Sequence, residues 1–567
     1  MEENLSYTSD KLSAAIIAGL LRDHGARHVF ISPGSRNTPL TIALARTPGL
    51  ECLPVIDERS AAFMALGASV RSGEPVAVCC TSGTALLNYA PAVAEAYYRR
   101  VPLIVISADR PEEWIDQDDS QTLWQQNALE PYVKRSCDIS ARLDFDNGEW
   151  WVNRVVNDLL IEAVSGQKGP VHINVRLDNP LDRTVPARPA EQRRILRLSP
   201  ERTLTLHEAK ALAENMAAPR RVMVIAGFMP PDNGLNKALQ LFASAPNTAV
   251  LSESISNLHG PWLIDNIDSV MRTLTPETRR EMAPDLVITI GGALVSRMVK
   301  EWIRGLPSET EHWHIGHSDV TVDCFKHLSM RIDLSPASFF RQTARQMLRL
   351  GGASDYSDRW RQTAREARLR HSEYCRDLPW CDLKAFESLF AMIPPRWDLH
   401  LSNGTPIRYG QLVEHGHIHR TDCNRGVSGI DGCTSTALGA SIANPGGVTL
   451  LVSGDMSFQY DIGALASPHM GPGFKMAVIC NGGGGIFRFI PSTRSLPELE
   501  RYFAVGTRLP LEDLCRGYGI AYFEAGSETE LQREFRRFAA VSDRPALLAI
   551  HTPGGLSAEI LSRYFRP

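Results

Sequence analysis

The sequence has no long hydrophobic run. None of its apolar stretches approaches the roughly eighteen residues that a membrane-crossing helix needs, so no spanning segment is expected. It has little net charge. Sixty Lys and Arg against 64 Asp and Glu leave −4, so bulk electrostatics argue against nucleic acid or an anionic membrane as a partner. It also lacks paired cysteines. Eleven are scattered without C-x-x-C or metal-type pairing, which reads as reduced thiols in a cytoplasmic protein rather than a disulfide framework. The first residues, MEENLSYTSDKLS, are acidic and polar, unlike a secretory signal. There is no short-period repeat and no low-complexity tract. What is present is a 567-residue chain, 43% apolar and 22% charged, with the composition of a soluble globular protein and length for three or four domains.

The first third alternates apolar strands with amphipathic helical stretches. Helix is expected over Lys11–His24, and strands over His28–Ile31, Leu53–Ile56, Val76–Cys80 and Leu103–Ile106. Each strand ends in a small or polar turn: Ser32-Pro33-Gly34-Ser35-Arg36, Asp57-Glu58-Arg59, Thr81-Ser82-Gly83-Thr84 and Ser107-Ala108-Asp109-Arg110-Pro111. This is α/β grammar with a parallel sheet, and ligands of such sheets bind beyond the carboxyl ends of the strands. Leu181–Pro200 is rich in Pro and Arg, lacks periodicity and reads as a linker. Strands follow at Val222–Ala226, Ala249–Leu251, Leu286–Ile290 and His312–Ile315. Gly291-Gly292 lacks the G-x-G-x-x-G pattern of a dinucleotide site. His312, His314 and His317 read as exposed histidines of a strand, with no carboxylate or cysteine spacing to make a metal site. Ser354–Leu378 is charged and helical in pattern and holds a second linker. The last third is α/β again, with strands at Asp398–Leu401 and Ala546–His551. The expected architecture is three doubly wound parallel-sheet domains, over residues 1–182, 201–355 and 378–567.

The stretch Leu450–Phe487 carries the strongest chemistry. The apolar runs Val448–Val452 and Phe474–Cys480 read as buried strands, ending at Ser453-Gly454-Asp455 and at Asn481 with four glycines. The roughly twenty residues between them suffice for the crossover that parallel strands need. Asp455 and Asn481 then lie at the carboxyl ends of neighbouring strands. A carboxylate and an amide oxygen are hard ligands suited to Mg²⁺ or Ca²⁺, a glycine carbonyl can join them, and cofactor phosphate would complete the shell. Gly454-Asp455, some two dozen residues, then Asn481 resembles the cofactor-anchoring motif of thiamine diphosphate enzymes, and Glu58, a carboxylate at a strand end in the first domain, is then expected to supply the second anchor that thiamine chemistry requires. It hydrogen-bonds the aminopyrimidine, whose imine then removes the thiazolium proton.

A closer resemblance runs through the first and last thirds in family order. It rests on Ser32–Leu40, Asp57-Glu58-Arg59, Thr81–Thr84, Ala108–Pro111 with Gln121, Asn403–Arg408, Asn424–Gly432, Gly454–Ser457 and Gly484–Phe487. These resemble the menaquinone-pathway family of 2-succinyl-5-enolpyruvyl-6-hydroxy-3-cyclohexene-1-carboxylate synthases, the MenD family; the middle third matches weakly.

The resemblance implies pyrimidine-binding, central and diphosphate-binding domains in a homodimer or homotetramer with the active site at a subunit interface. It implies thiamine diphosphate and Mg²⁺, or Mn²⁺, as cofactors. The implied reaction joins 2-oxoglutarate to isochorismate with loss of CO₂. Ser35, Arg36, Arg110 and Gln121 are implied to contact isochorismate or the adduct. Arg408 and Arg425 take carboxylates of the 2-oxoglutarate part, a task suited to bidentate arginine. Ile430 buttresses the bent cofactor. Gly83, Gly404, Thr405, Gly454, Met456 and Ser457 complete the cofactor site, and Asp455, Asn481 and Gly483 the metal shell. The chain departs from the family pattern at Gly404, where a serine is usual, at Met298, where a second cation is usual, and at Cys480. Two other readings of the residues stand: an acetohydroxyacid-synthase or 2-oxoacid-decarboxylase type of enzyme, and a non-catalytic metabolite-binding protein.

Overall fold

A computed structural model describes residues 7–143, 146–187, 192–506 and 508–566. Part of the acidic N-terminus, residues 1–6, and residues 188–191 of the Pro/Arg-rich stretch lie outside them. Seventeen strands form three parallel sheets, and two more form a short ribbon. Strand β1 (Tyr7–Ser9) pairs antiparallel with β8 (Thr184–Pro186), so the stretch read as linker begins with a strand. Between them lie β2 (His28–Ile31), β3 (Glu51–Pro54), β4 (Val76–Cys80), β5 (Leu103–Asp109), β6 (Arg135–Ile139) and β7 (Val171–Arg176), in the order β3-β2-β4-β5-β7-β6. The second sheet comprises β9 (Val222–Ala226), β10 (Thr248–Ser252), β11 (Leu286–Ile290), β12 (Glu311–Ile315) and β13 (Leu328–Ile332), in the order β10-β9-β11-β12-β13. The third comprises β14 (Asp398–Leu401), β15 (Arg420–Asp422), β16 (Thr449–Gly454), β17 (Phe474–Cys480), β18 (Ala521–Ala525) and β19 (Ala546–His551), in the order β15-β14-β16-β17-β19-β18. Numbered within each sheet, the first and third orders are the same, 2-1-3-4-6-5.

Two compact units result. One holds the chain up to Ser199 with Gly426–Gly446 and Asp461–Gly471; the other holds Pro200–Arg425, Gly447–Tyr460 and Pro472 onward. The second sheet shows why its strands read as unbroken apolar runs. Val222, Val224 and Ala226 pack on one face with Leu239, Phe242 and Phe340, while Met223 and Ile225 pack on the other with Met271, Trp302 and Trp360. A parallel sheet covered on both faces has no polar side to alternate with.

Three strands shift by one or two residues from expectation, to Thr248–Ser252, Glu311–Ile315 and Thr449–Gly454, and two others differ in a way that burial explains. The third strand was expected over Leu53–Ile56 and runs over Glu51–Pro54. Pro54 has no N–H to continue the ladder, and Ile56 is 86% exposed beyond it. The strand expected to stop at Ile106 continues through Ser107, Ala108 and Asp109, all buried. Its polar residues are satisfied inside the fold. Ser107 Oγ meets His172 Nε2 and Asn174 Oδ1 at 2.7 Å each, and Asn174 Nδ2 donates to Asp109 at 2.8 Å. The histidines of β12 also differ from their expected exposure. His312 is buried, and both His312 Nε2 (2.8 Å) and His314 Nδ1 (3.0 Å) meet the Thr289 hydroxyl. The charged stretch after the second sheet forms one helix, Tyr356–Arg376.

Candidate functional site

In the first unit, helix Glu58–Ser72 starts where β3 ends. Asp57 caps it by accepting the Ser60 N–H, which fixes Glu58 in the first turn, half-buried. The helix packs against helix Cys433–Ile442 of the same unit, nearly backbone to backbone. A Cβ on Gly67 would lie 1.8 Å from the Thr436 carbonyl oxygen, and one on Gly439 1.9 Å from that of Met64. Only glycine fits at both positions. Buried Asp461 accepts from the N–H and hydroxyl of Ser435, and burial pushes its carboxyl up to about 6 against the pull of those bonds and of Arg59. Ile430 lies half-buried in this unit, three residues before helix Cys433–Ile442.

The polar turns after β2, β4 and β5 converge at one end of the first sheet. Arg36 is buried; its guanidinium donates to the Leu177 carbonyl at 2.9 Å and its N–H to the Thr81 hydroxyl at 3.3 Å. Burial, then the like charge of Arg110, pull its pKa down, and Asp119, Asp109 and Asp178 oppose them. Arg110 pairs with Asp119 at 2.6 Å and donates to the Ser120 carbonyl at 2.9 Å. Gly83 donates its N–H to Gln125 Oε1 at 2.8 Å, and a Cβ there would lie 3.4 Å from Gln121 Cα. Ser35 and Gln121 are exposed. The structure thus gathers Ser35, Arg36, Arg110, Gln121 and Gly83, and adds Asp119 and Gln125, which sequence reasoning missed.

In the second unit the turns after β14, β15, β16 and β17 form the other cluster. Strands β16 and β17 pair in parallel with Gly454 opposite Ile479, so Asp455 and Asn481 follow neighbouring strands on one sheet edge, as expected. Asp455 is buried. Its Oδ2 accepts from Gly482 N–H (3.0 Å) and Gly483 N–H (2.8 Å), and Oδ1 from Met456 N–H (2.8 Å). The Gly483 carbonyl accepts from Arg488 at 3.0 Å. Gly454 donates its N–H to the Ser402 hydroxyl at 3.3 Å, and Ser457 is buried one turn on. Asn481 Nδ2 donates to Asp382 Oδ2 at 2.9 Å, and Asp382 also accepts from Thr552 Oγ1 at 2.5 Å. With its nitrogen committed, the amide keeps its oxygen as the group available to a cation. This fits a hard divalent ion carrying a diphosphate. Asp382 lies far away in sequence, at the start of helix Asp382–Met392, and no motif marks it.

Gly404 follows β14 with φ 96° and ψ −132°, and precedes the short helix Thr405–Tyr409. A side chain there would meet only Pro406 Cδ at 4.0 Å, so the backbone, not space, selects glycine. Arg408 and Arg425 lie close enough for the charge of each to be felt. Burial, then Arg425, pull the Arg408 pKa down, with Asp268 opposing. Asn403 joins the two turns: its Oδ1 accepts from Arg425 at 3.0 Å and its Nδ2 donates to the Asn424 carbonyl at 2.6 Å. The Nε atoms of Arg408 and Arg425 are buried with no hydrogen-bond partner among the described residues. Two such donors, on arginines near enough for one charge to act on the other, suit an anion. Glu253 lies nearby, wholly buried, accepting from the N–H groups of Val295 and Ser296. Burial pushes its carboxyl up to about 7, with those bonds and Arg425 opposing. Lys300, one turn after Arg297, also feels Arg425 and Glu253. Glu253, Asp268 and Lys300 belong to the weakly matching middle third and were not anticipated.

A model of the thiamine pyrophosphate enzyme N-terminal domain family, described as a TPP-binding domain, matches residues 12–129. An X-ray structure of a Mycobacterium smegmatis enzyme described as thiamin diphosphate-dependent shares the fold. Its TM-score is 0.71 at 17% identity, with 95% of this chain and 99% of that one covered. The matched domain and the shared fold are those of thiamine diphosphate-dependent α/β enzymes. Three relatives narrow the class. Proteins of Porphyromonas gingivalis (39% identical, 98% of this chain and 97% of that one), Christiangramia forsetii (36%, 99% and 99%) and Flavobacterium johnsoniae (35%, 96% and 96%) are each named 2-succinyl-5-enolpyruvyl-6-hydroxy-3-cyclohexene-1-carboxylate synthase. The chain belongs to the family of these synthases. Among the described residues no helix is long and apolar enough to cross a membrane.

Proposed function

We propose that the protein joins 2-oxoglutarate to isochorismate with loss of CO₂, giving 2-succinyl-5-enolpyruvyl-6-hydroxy-3-cyclohexene-1-carboxylate for menaquinone biosynthesis. The observation that carries this reading is the half-buried Arg408–Arg425 pair, whose Nε donors are buried and unpartnered among the described residues. A 2-oxo acid bearing a second carboxylate gives such a pair something to bind; pyruvate does not need both. Thiamine diphosphate, when bound, supplies an acidic thiazolium carbon and a sink for the electron pair left by decarboxylation.

The chain's own residues do the rest. Asp455, the Asn481 amide oxygen and the Gly483 carbonyl would hold Mg²⁺, or Mn²⁺, with phosphate oxygens completing the shell. Gly454, Met456, Ser457, Gly404 and Thr405 would line the diphosphate, and Gly83 and Ile430 the rings. Glu58 would accept a hydrogen bond from the aminopyrimidine and so hold a proton at its ring nitrogen. Arg36 and Arg110, with Ser35 and Gln121, would orient isochorismate by its carboxylates. Two subunits of a cytoplasmic homo-oligomer, dimer or tetramer, would share each site, with residues 1–182 giving the pyrimidine end, 378–567 the diphosphate end and 201–355 the central domain.

The test is incubation with isochorismate, 2-oxoglutarate, thiamine diphosphate and Mg²⁺, with mass spectrometry of the product. The adduct and CO₂ should appear only when all four are present. Fast turnover of pyruvate alone, with none from isochorismate, would move the enzyme to the acetohydroxyacid-synthase or 2-oxoacid-decarboxylase class.

A further inference from the structure

Helix Tyr356–Arg376 presents His371 and Cys375 four residues apart, on one face. Both are buried. Helix Asp382–Met392 brings Glu387 to the same place. His371 Nε2 is 2.7 Å from Glu387 Oε1 and 3.5 Å from Cys375 Sγ, and one ligand atom of each residue lies within 4.8 Å of the other two. Zinc bonds of about 2.0–2.3 Å place tetrahedral ligands about 3.3–3.6 Å apart. The nitrogen–sulfur edge is already that long, the His371–Glu387 contact must open, and the Cys375–Glu387 edge lies within 4.8 Å. The other ring nitrogen, Nδ1, meets Tyr564 Oη at 2.8 Å, which meets Ser269 Oγ at 2.7 Å. Such outer bonds fix the ring orientation of ligating histidines. A cavity of about 100 Å³, lined among others by His371, Glu387, Ser269 and Glu414, has room for water as a fourth ligand.

We infer that His371, Cys375 and Glu387 form a second metal site, selective for a borderline-soft cation of the zinc class and separate from the Asp455–Asn481 pair. Mixed nitrogen, sulfur and oxygen ligands suit zinc and disfavour magnesium. Binding releases the thiol proton to solvent and leaves thiolate on the metal. The ion ties helix Tyr356–Arg376 to helix Asp382–Met392.

Cobalt(II) titration of the full chain, pre-loaded with thiamine diphosphate and Mg²⁺, tests this. One equivalent of Co²⁺ should produce intense thiolate-to-cobalt charge transfer in the near ultraviolet with four-coordinate visible bands, and Zn²⁺ should displace it. The near-isosteric Cys375→Ser should remove the charge-transfer band. Glu387→Gln, at the most exposed ligand, should weaken Co²⁺ binding, and Tyr564→Phe should weaken it about 10- to 100-fold with the band kept at saturation. No thiolate band in the wild type, the same band in Cys375→Ser, or only the weak absorption of an oxygen-ligated octahedral ion would each overturn the inference. Because the band does not depend on turnover, failure of the carboligase reading would leave it intact.

Discussion

The first and third sheets share one strand order and pair in parallel throughout, yet their carboxyl edges carry different chemistry. After β2, β4 and β5 the first sheet offers Arg36 and Arg110, with Glu58 beyond β3. After β14, β16 and β17 the third offers Gly404, Asp455 and Asn481. In both, the switch point lies between the first and third strands in sequence, where this topology opens a crevice. The second sheet has a related order, but there a Cβ on Gly227 would lie 1.9 Å from the Gly292 carbonyl oxygen. Gly227 N–H donates to Ile290 and Gly292 N–H to Phe228, so its Gly291-Gly292 turn packs on backbone rather than cradling phosphate. The topology supplies the edge, and the turn residues give each edge its own chemistry.

The division between the edges breaks most visibly at Glu58. Glu58→Gln should lower kcat about 10²- to 10⁴-fold, the range for losing a positioned acid–base group. Thiamine diphosphate affinity, set at the other edge, should change little. Near wild-type kcat would return Glu58 to the role of a helix N-terminal acid.

The two buried acids give the next largest effect. Glu253 titrates at about 7 in the folded protein, and Asp461 at about 6. A buried carboxyl raised in this way keeps its proton where the unfolded chain has lost it. Its stabilising contribution is therefore full below the ordinary carboxylate range and lost as pH climbs through the raised value. For Glu253 the loss amounts to about 3 kcal/mol between pH 4.5 and 7.5. Chemical denaturation of Glu253→Gln should show a flatter stability profile across that window than the wild type. Parallel profiles would mean that Glu253 stays ionised, held by Arg425 and the two amides.

The arginines test whether the edges serve different substrates. Arg408→Gln should cost about 1.5–3 kcal/mol, roughly 10- to 100-fold in kcat/KM, for 2-oxoglutarate. Arg36→Gln should cost a similar factor for isochorismate. Equal losses on one substrate from both changes would remove the distinction.

Much of this was legible because the chemistry sits in turns that follow apolar runs. Strands at His28–Ile31, Val76–Cys80, Val222–Ala226, Leu286–Ile290 and Phe474–Cys480 match their expected ranges, each a short, mostly apolar run closed by polar residues or glycine. The Asp455–Asn481 pairing followed from strand parallelism alone. What escaped was whatever burial makes polar. Ser107-Ala108-Asp109 read as a turn because a satisfied buried network has the composition of a loop. Glu253 and Asp382 act through partners far off in sequence, and nothing local distinguishes them from surface acids.

Asp382 sharpens the comparison most finely, because its link to the expected metal pair is the hydrogen bond from Asn481. Its carboxylate takes the Asn481 amide nitrogen and the Thr552 hydroxyl, and its own N–H donates to Ser557 Oγ at 2.9 Å. In Asp382→Asn, the new amide keeps one oxygen for two donors. If Thr552 retains it, the nitrogen faces Asn481, and the Asn481 side chain turns to offer its oxygen inward, away from the metal position. The Mg²⁺ concentration for half-maximal activity at saturating thiamine diphosphate should rise about 10- to 100-fold, with kcat recovering at high Mg²⁺. Glu58→Gln should show the opposite pattern, a low kcat that Mg²⁺ does not rescue. An unchanged Mg²⁺ requirement in Asp382→Asn would mean that the Asn481 amide is oriented by the metal itself, and that Asp382 serves only the packing of its helix.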